Sequence, residues 1–173
     1  FWSTRGSLLF TPAGGIYIAD ANGGAQTKIS DISQGFMLGR PSWAPDGTRF
    51  VVQFDDRTGG SVGTLRIFDV NGASSPLNSG AGATDSEPDW SPDGSKIVFR
   101  RSDANSQGLF TIRPDASDLT SLPNTTEAST PAWSPDSKWI TYAKQLKNHL
   151  RAVFIYSTEN GQTRQITDGQ SDA

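Results

Sequence analysis

A short motif of proline, any residue and tryptophan, followed by a tight turn, recurs along this chain, and its spacing limits the possible folds more than anything else in it. The copies read Pro41-Ser42-Trp43-Ala44-Pro45-Asp46-Gly47, Pro88-Asp89-Trp90-Ser91-Pro92-Asp93-Gly94 and Pro131-Ala132-Trp133-Ser134-Pro135-Asp136-Ser137. A worn copy opens the chain at Trp2-Ser3-Thr4-Arg5-Gly6. Trp2, Trp43, Trp90 and Trp133 are 41, 47 and 43 residues apart. A period of about 40–45 residues is that of a four-stranded propeller blade.

The residues after each motif read as strands. A first apolar run comes directly after it, as in Phe50-Val51-Val52, Ile97-Val98-Phe99 and Trp139-Ile140-Thr141-Tyr142. A second run comes next, as in Leu65-Arg66-Ile67-Phe68, Leu109-Phe110-Thr111-Ile112 and Val153-Phe154-Ile155-Tyr156. Then a turn signal appears: Asn22-Gly23, Asn71-Gly72, Pro114-Asp115 and Asn160-Gly161. Asn-Gly between strands predicts a type I′ hairpin, in which both central residues have positive φ. A weaker strand closes each unit. The 18 glycines and 10 prolines fit many short strands joined by turns, not long helices.

Each unit therefore reads as strand A (holding Pro-x-Trp), turn, strand B, loop, strand C, turn, strand D. The expected fold is all-β: a β-propeller with four consecutive antiparallel blades over residues 1–173, at approximately 1–30, 41–79, 88–123 and 131–167. Within the motif, Pro presets φ in the A–B turn. The Asp residues (Asp46, Asp93, Asp136) accept backbone amides of the turn, and Gly takes the positive-φ position. Ser137 replaces that Gly in the last unit and should strain its turn. The tryptophans Trp2, Trp43, Trp90 and Trp133 are expected to pack between blades rather than to bind ligands.

The Pro-x-Trp-Ser-Pro-Asp-Gly units resemble the TolB-like propeller repeat, over residues 2–173. That repeat occurs in the TolB protein of the bacterial Tol–Pal envelope system, and in the propellers of prolyl-oligopeptidase-like and tricorn-like peptidases. The first unit departs from the pattern, with Thr4 and Arg5 where Pro and Asp would stand. The resemblance implies a ring of six or more blades. Four blades alone would leave apolar blade faces uncovered, so the chain is expected to belong to a six- to eight-bladed propeller, or to pair with a second copy. The absence of an initial Met at Phe1-Trp2 reads as a processed or truncated segment.

Composition narrows the chemistry. The net charge is −3, which argues against a non-specific nucleic-acid binder. With no Cys in the sequence, thiolate catalysis, disulfides and Cys-held metals are excluded. No apolar stretch approaches the roughly 20 residues that span a bilayer. The single His149 lies in a basic loop with Lys144, Lys147 and Arg151 and is expected to be solvated. No nucleophile–base set is legible, so the chain reads as a non-enzyme without cofactor or resident metal.

Antiparallel strands put the A–B and C–D turns on one face of the disc and the longer B–C and D–A loops on the other. Binding is expected on the second face and at the channel mouth, because function favours variable loops on a rigid frame. The candidate ligand-binding residues are Asp85, Glu87, Glu127 and Asp172, which precede strand A, together with Arg40. The four carboxylates could converge near the channel, an oxygen cluster of the kind Ca²⁺ favours; Arg40 is a candidate to pair with one of them. The leading functional expectation is a protein- or peptide-binding scaffold, periplasmic or extracellular. The alternatives are an accessory domain of a prolyl-oligopeptidase-like hydrolase and a carbohydrate-binding propeller. The last ranks lowest, because the loops hold almost no aromatic residue besides Phe36.

Overall fold

The computed structural model describes residues 3, 8–10, 15–20, 22, 24, 26–31, 36–55, 63–77, 82–104, 107–147 and 149–168. Among them every regular element is a strand. The strands form four separate antiparallel sheets, each in sequence order. Blade 1 holds β1 (Leu8–Phe10), β2 (Gly15–Ala19) and β3 (Gln26–Asp31). Blade 2 holds β4 (Phe36–Trp43), β5 (Arg49–Asp55), β6 (Thr64–Asp69) and β7 (Ser74–Leu77). Blade 3 holds β8 (Thr84–Trp90), β9 (Ile97–Ser102), β10 (Gln107–Ile112) and β11 (Thr120–Ser121). Blade 4 holds β12 (Ala128–Trp133), β13 (Trp139–Gln145), β14 (Arg151–Ser157) and β15 (Thr163–Gln165). This is the propeller architecture that the repeat implies. Trp2 lies outside the described residues.

The apolar core sits between blades, not within them. One cluster joins Ile16 and Ile29 of blade 1 to Phe50, Val52 and Phe68 of blade 2, with Trp43 against it. A second joins Val51, Leu65 and Leu77 of blade 2 to Trp90, Ile97 and Phe99 of blade 3. The third joins Val98, Leu109 and Leu122 of blade 3 to Ile140, Tyr142 and Tyr156 of blade 4, with Trp133 against it. Alternation along each strand explains this. In β9, Val98 faces the following blade while Ile97 and Phe99 face the preceding one. At these contacts the face toward the following blade is largely aliphatic, and the face it meets carries most of the rings. Trp43, Trp90 and Trp133 all take part in the second kind of face.

The A–B turns follow the motif's chemistry. Asp46 Oδ1 accepts the Thr48 amide at 2.9 Å, Asp93 Oδ1 the Ser95 amide at 2.9 Å, and Asp136 Oδ1 the Lys138 amide at 3.1 Å. Gly47 and Gly94 take φ of 65° and 77°, and Ser137 takes 58° in the same place. An L-residue there is strained, but the Ser137 hydroxyl accepts the Asp93 amide of blade 3 at 3.1 Å. The serine thus links two blades where a glycine could not.

The Asn71-Gly72 and Asn160-Gly161 turns differ from the type I′ expectation; Gly23 of the remaining Asn-Gly pair lies outside the described residues. Gly72 has φ of 95° and Gly161 of 70°, but neither Asn71 nor Asn160 is in the left-handed region. At Asn71 the loop spans three residues. Gly72 N donates to the Asp69 carbonyl, Asp69 N to the Ala73 carbonyl, and Asn71 N to Asp69 Oδ1 at 2.8 Å. This is a type I turn followed by a left-handed residue, the usual three-residue hairpin. Asp69 selects it by accepting the amide two residues on. Ala116, at φ 67°, fills the same role after Pro114-Asp115.

The innermost strands also begin before the Pro-x-Trp motif. Residues 36–40, 84–87 and 128–130, expected in D–A loops, lie within β4, β8 and β12. Each of these strands is bulged next to its proline. Ser86 and Asp89 oppose Arg100 and Val98, and Ser129 and Ala132 oppose Ala143 and Thr141, so one extra residue is inserted in each. In β4 the step from Leu38 to Ser42 opposes that from Gln53 to Val51, an insertion of two. Pro has no amide to give to a ladder, so a bulge is where a strand tolerates it.

Candidate functional site

Three successive innermost strands line a cavity of about 750 Å³. Its walls repeat with the blades: Arg40-Pro41-Ser42, Glu87-Pro88-Asp89 and Thr130-Pro131-Ala132. Each bulge sets the same two positions against the cavity. The residue before proline is exposed in these three blades (Arg40, Glu87, Thr130), and the three prolines are buried behind it. The frame is thus constant while the side chains offered change from cation to anion to hydroxyl.

The variable residue of Pro-x-Trp ties the blades together at this wall. Ser42 Oγ accepts the Trp90 amide at 2.9 Å and donates to Asp89 Oδ1 at 3.0 Å. Asp89 Oδ2 in turn accepts the Trp133 amide at 2.7 Å. The Asp89 carbonyl accepts Trp133 Nε1 at 3.1 Å. Blades 2, 3 and 4 are therefore stapled in series by two side chains. Burial pushes the Asp89 carboxyl above the ordinary carboxylate range, against the bonds from Trp133 and Ser42 that favour its ionised form. In blade 4 the position is Ala132, which has no side-chain acceptor to offer.

The carboxylate candidates do not gather at one point. Asp85 is 0% exposed. Its two oxygens accept Arg101 Nε at 2.8 Å and Nη2 at 3.2 Å. Burial raises its pKa, with the Arg101 bonds and charge opposing. Asp85 thus locks β8 to β9 instead of facing a ligand. Glu87 does border the cavity, and its Oε2 accepts the Thr130 amide of the next blade at 2.6 Å. Glu127 lies instead in a separate cavity between blades 3 and 4. Asp172 is outside the described residues. Among the described residues no three His, Asp or Glu side chains are grouped to hold a metal ion. Arg40 borders the same cavity as Glu87; no ion pair joins it to a candidate carboxylate among the described residues.

His149 is exposed, in the left-handed region at φ 65°, and lines the cavity that holds Glu127. The residues that sequence reasoning passed over are Ser42, Asp89, Arg100 and Arg101. A signal existed for the first two: they occupy the place in the motif that differs in all three full copies, Ser42, Asp89 and Ala132.

A family model of the TolB beta propeller domain matches residues 8–173. Among solved structures, the putative TolB from Agrobacterium tumefaciens superposes with a TM-score of 0.77 at 20% identity, covering 96% of this chain and 60% of that one. TolB from Acinetobacter baumannii gives 0.75 at 17% identity, covering 96% of this chain and 42% of that one. A puromycin-hydrolyzing peptidase from Mycobacterium tuberculosis gives 0.71 at 14% identity, covering 99% of this chain and 29% of that one. The chain thus spans less than two thirds of each of these structures, and the likeness is one of fold. No curated protein matches the sequence.

Proposed function

The chain belongs to the TolB β-propeller family, and on that footing we propose that it is a non-catalytic scaffold that binds a protein or peptide segment along its axial wall. The observation that carries this reading is the cavity of about 750 Å³ shared by β4, β8 and β12. It crosses three blades and combines buried prolines with an exposed residue before each of them. The bulges leave backbone groups at residues 39–41, 87–88 and 130–131 outside the ladder. The Thr130 amide is already given to Glu87, so an extended segment would pair with the carbonyls and remaining amides of these residues and read Arg40, Glu87 and Thr130 as successive contacts. The only histidine of the sequence sits in another cavity, so this wall has no imidazole base to pair with a serine or threonine nucleophile.

Panning a library of extended peptides against the chain tests the reading. Binders should be lost by Ala132→Trp, which fills the cavity, and kept by Ser75→Trp on the exposed β7. Binders indifferent to Ala132→Trp would refute it. The peptidase match favours a second reading, a domain that gates a hydrolase; a Gly-x-Ser-x-Gly element encoded beyond residue 173 would decide for that one. Placement in the periplasm or outside the cell belongs to the same proposal, and fractionation of cells expressing the full gene checks it.

A further inference from the structure

A second cavity, of about 490 Å³, opens between blades 3 and 4. Arg100, Gln107, Gln145 and Arg151 contribute donors to its lining, the Ser129 hydroxyl beside them donates to the Ala143 carbonyl, and Glu127 is the one carboxylate among the described lining residues. No ion pair joins Glu127 to either arginine among the described residues. Arg151 Nη2 donates to Ser129 Oγ at 2.5 Å. Arg100 differs: its Nε–H is buried and has no hydrogen-bond partner among the described residues. Buried donors are rarely left unpaired. The fold does not require an arginine there. The equivalent places in β5 and β13, opposite Leu65 and Val153 as Arg100 is opposite Leu109, hold Gln53 and Ala143.

We propose that this cavity binds a carboxylate, the side chain of a glutamate or aspartate in a bound peptide, with Arg100 as its principal ligand. A guanidinium offers Nε–H and one Nη–H in parallel, which matches the two oxygens of a carboxylate. Arg151, already oriented by Ser129, supplies the second cation, and the amides of Gln107 and Gln145 are further donors. Arg100 and Arg151 against the carboxylate of Glu127 leave one uncompensated positive charge among these three described side chains, which suits a monoanion better than a phosphate dianion. Only the peptide origin of the carboxylate rests on the function proposed above.

The test uses NMR of the ¹⁵N-labelled chain, following the arginine Nε–Hε signals. The probes are acetyl-Gly-Glu-Gly-amide, its Gln counterpart and inorganic phosphate. The Glu peptide should shift the Arg100 and Arg151 signals saturably, and the Gln peptide should not. Arg100→Gln should weaken binding about tenfold or more while the backbone spectrum stays folded, and Arg151→Gln should weaken it less. Equal shifts from both peptides, no shift from either, phosphate binding without Glu binding, or unchanged affinity in Arg100→Gln would each overturn the assignment. Ala132→Trp blocks the axial wall and leaves this cavity open, so the two readings fail separately.

Discussion

Replacing Asp89 with alanine tests whether the blades are tied at the axis by side chains or held by apolar packing alone. The change removes the acceptor of the Trp133 amide at 2.7 Å and of the Ser42 hydroxyl at 3.0 Å, and keeps the carbonyl bond to Trp133 Nε1. A buried amide left without an acceptor costs about 1–3 kcal/mol, and a lost hydroxyl bond about 1 kcal/mol. Alanine also escapes the burial of a charge, so the net loss should be about 2–4 kcal/mol. At this chain length each kcal/mol moves the thermal midpoint by about 2–4 °C, so the midpoint should fall by about 5–15 °C. Asp89→Asn keeps one acceptor and sheds the charge, and should cost less than about 1 kcal/mol. The pH dependence has a definite sign. Because the folded carboxyl titrates above its ordinary 3.8, the folded state holds the proton over a range where the unfolded state has released it. Stability therefore falls as pH rises from 3.8 through the folded value, and the wild type should lose ground to the Asn variant over that window. Thermal melts of the three proteins from about pH 3.5 to neutrality, followed by circular dichroism, measure all of this. An alanine variant within about 2 °C of wild type, or an asparagine variant as unstable as alanine, would refute the staple.

Three further outcomes are set by the packing. Asp85→Ala strands the buried Arg101 guanidinium and should cost about 3–5 kcal/mol, most of it recovered when Arg101→Met is added; chemical denaturation reads both. Ser137→Ala keeps a left-handed φ of 58° and loses the bond from the Asp93 amide, so it should destabilise by about 0.5–1 kcal/mol, whereas Ser137→Gly trades strain for bond and should change less. Leu109 and Val153 occupy equivalent places in blades 3 and 4, but Leu109 is 0% exposed and Val153 40%. Leu109→Ala should cost about 2–5 kcal/mol and Val153→Ala under about 1; equal costs would mean that the far face of blade 4 is covered in solution, which sedimentation would then show.

The blades were legible in the chain itself, because their specification is local. A proline, an aspartate and a glycine within five residues close a turn by bonds inside that turn. Alternating apolar residues commit two faces of a strand whatever lies beyond. Trp43, Trp90 and Trp133 were legible as core for the same reason, since a large apolar ring has few other places to go. The polar groups that meet across blades were not legible. Asp85 reads as a loop carboxylate until β9 brings Arg101, 16 residues away, against it. Asp89 is only the varying residue of Pro-x-Trp until Ser42 and Trp133, about one repeat distant on either side, close on it. The bulges that carry Arg40, Glu87 and Thr130 to the axial wall likewise depend on how each inner strand pairs with its neighbour. Apolar burial needs only the right kind of residue on the right face. A hydrogen bond or an ion pair needs two particular atoms within about 3 Å, and only the stacking of one blade on the next sets that distance.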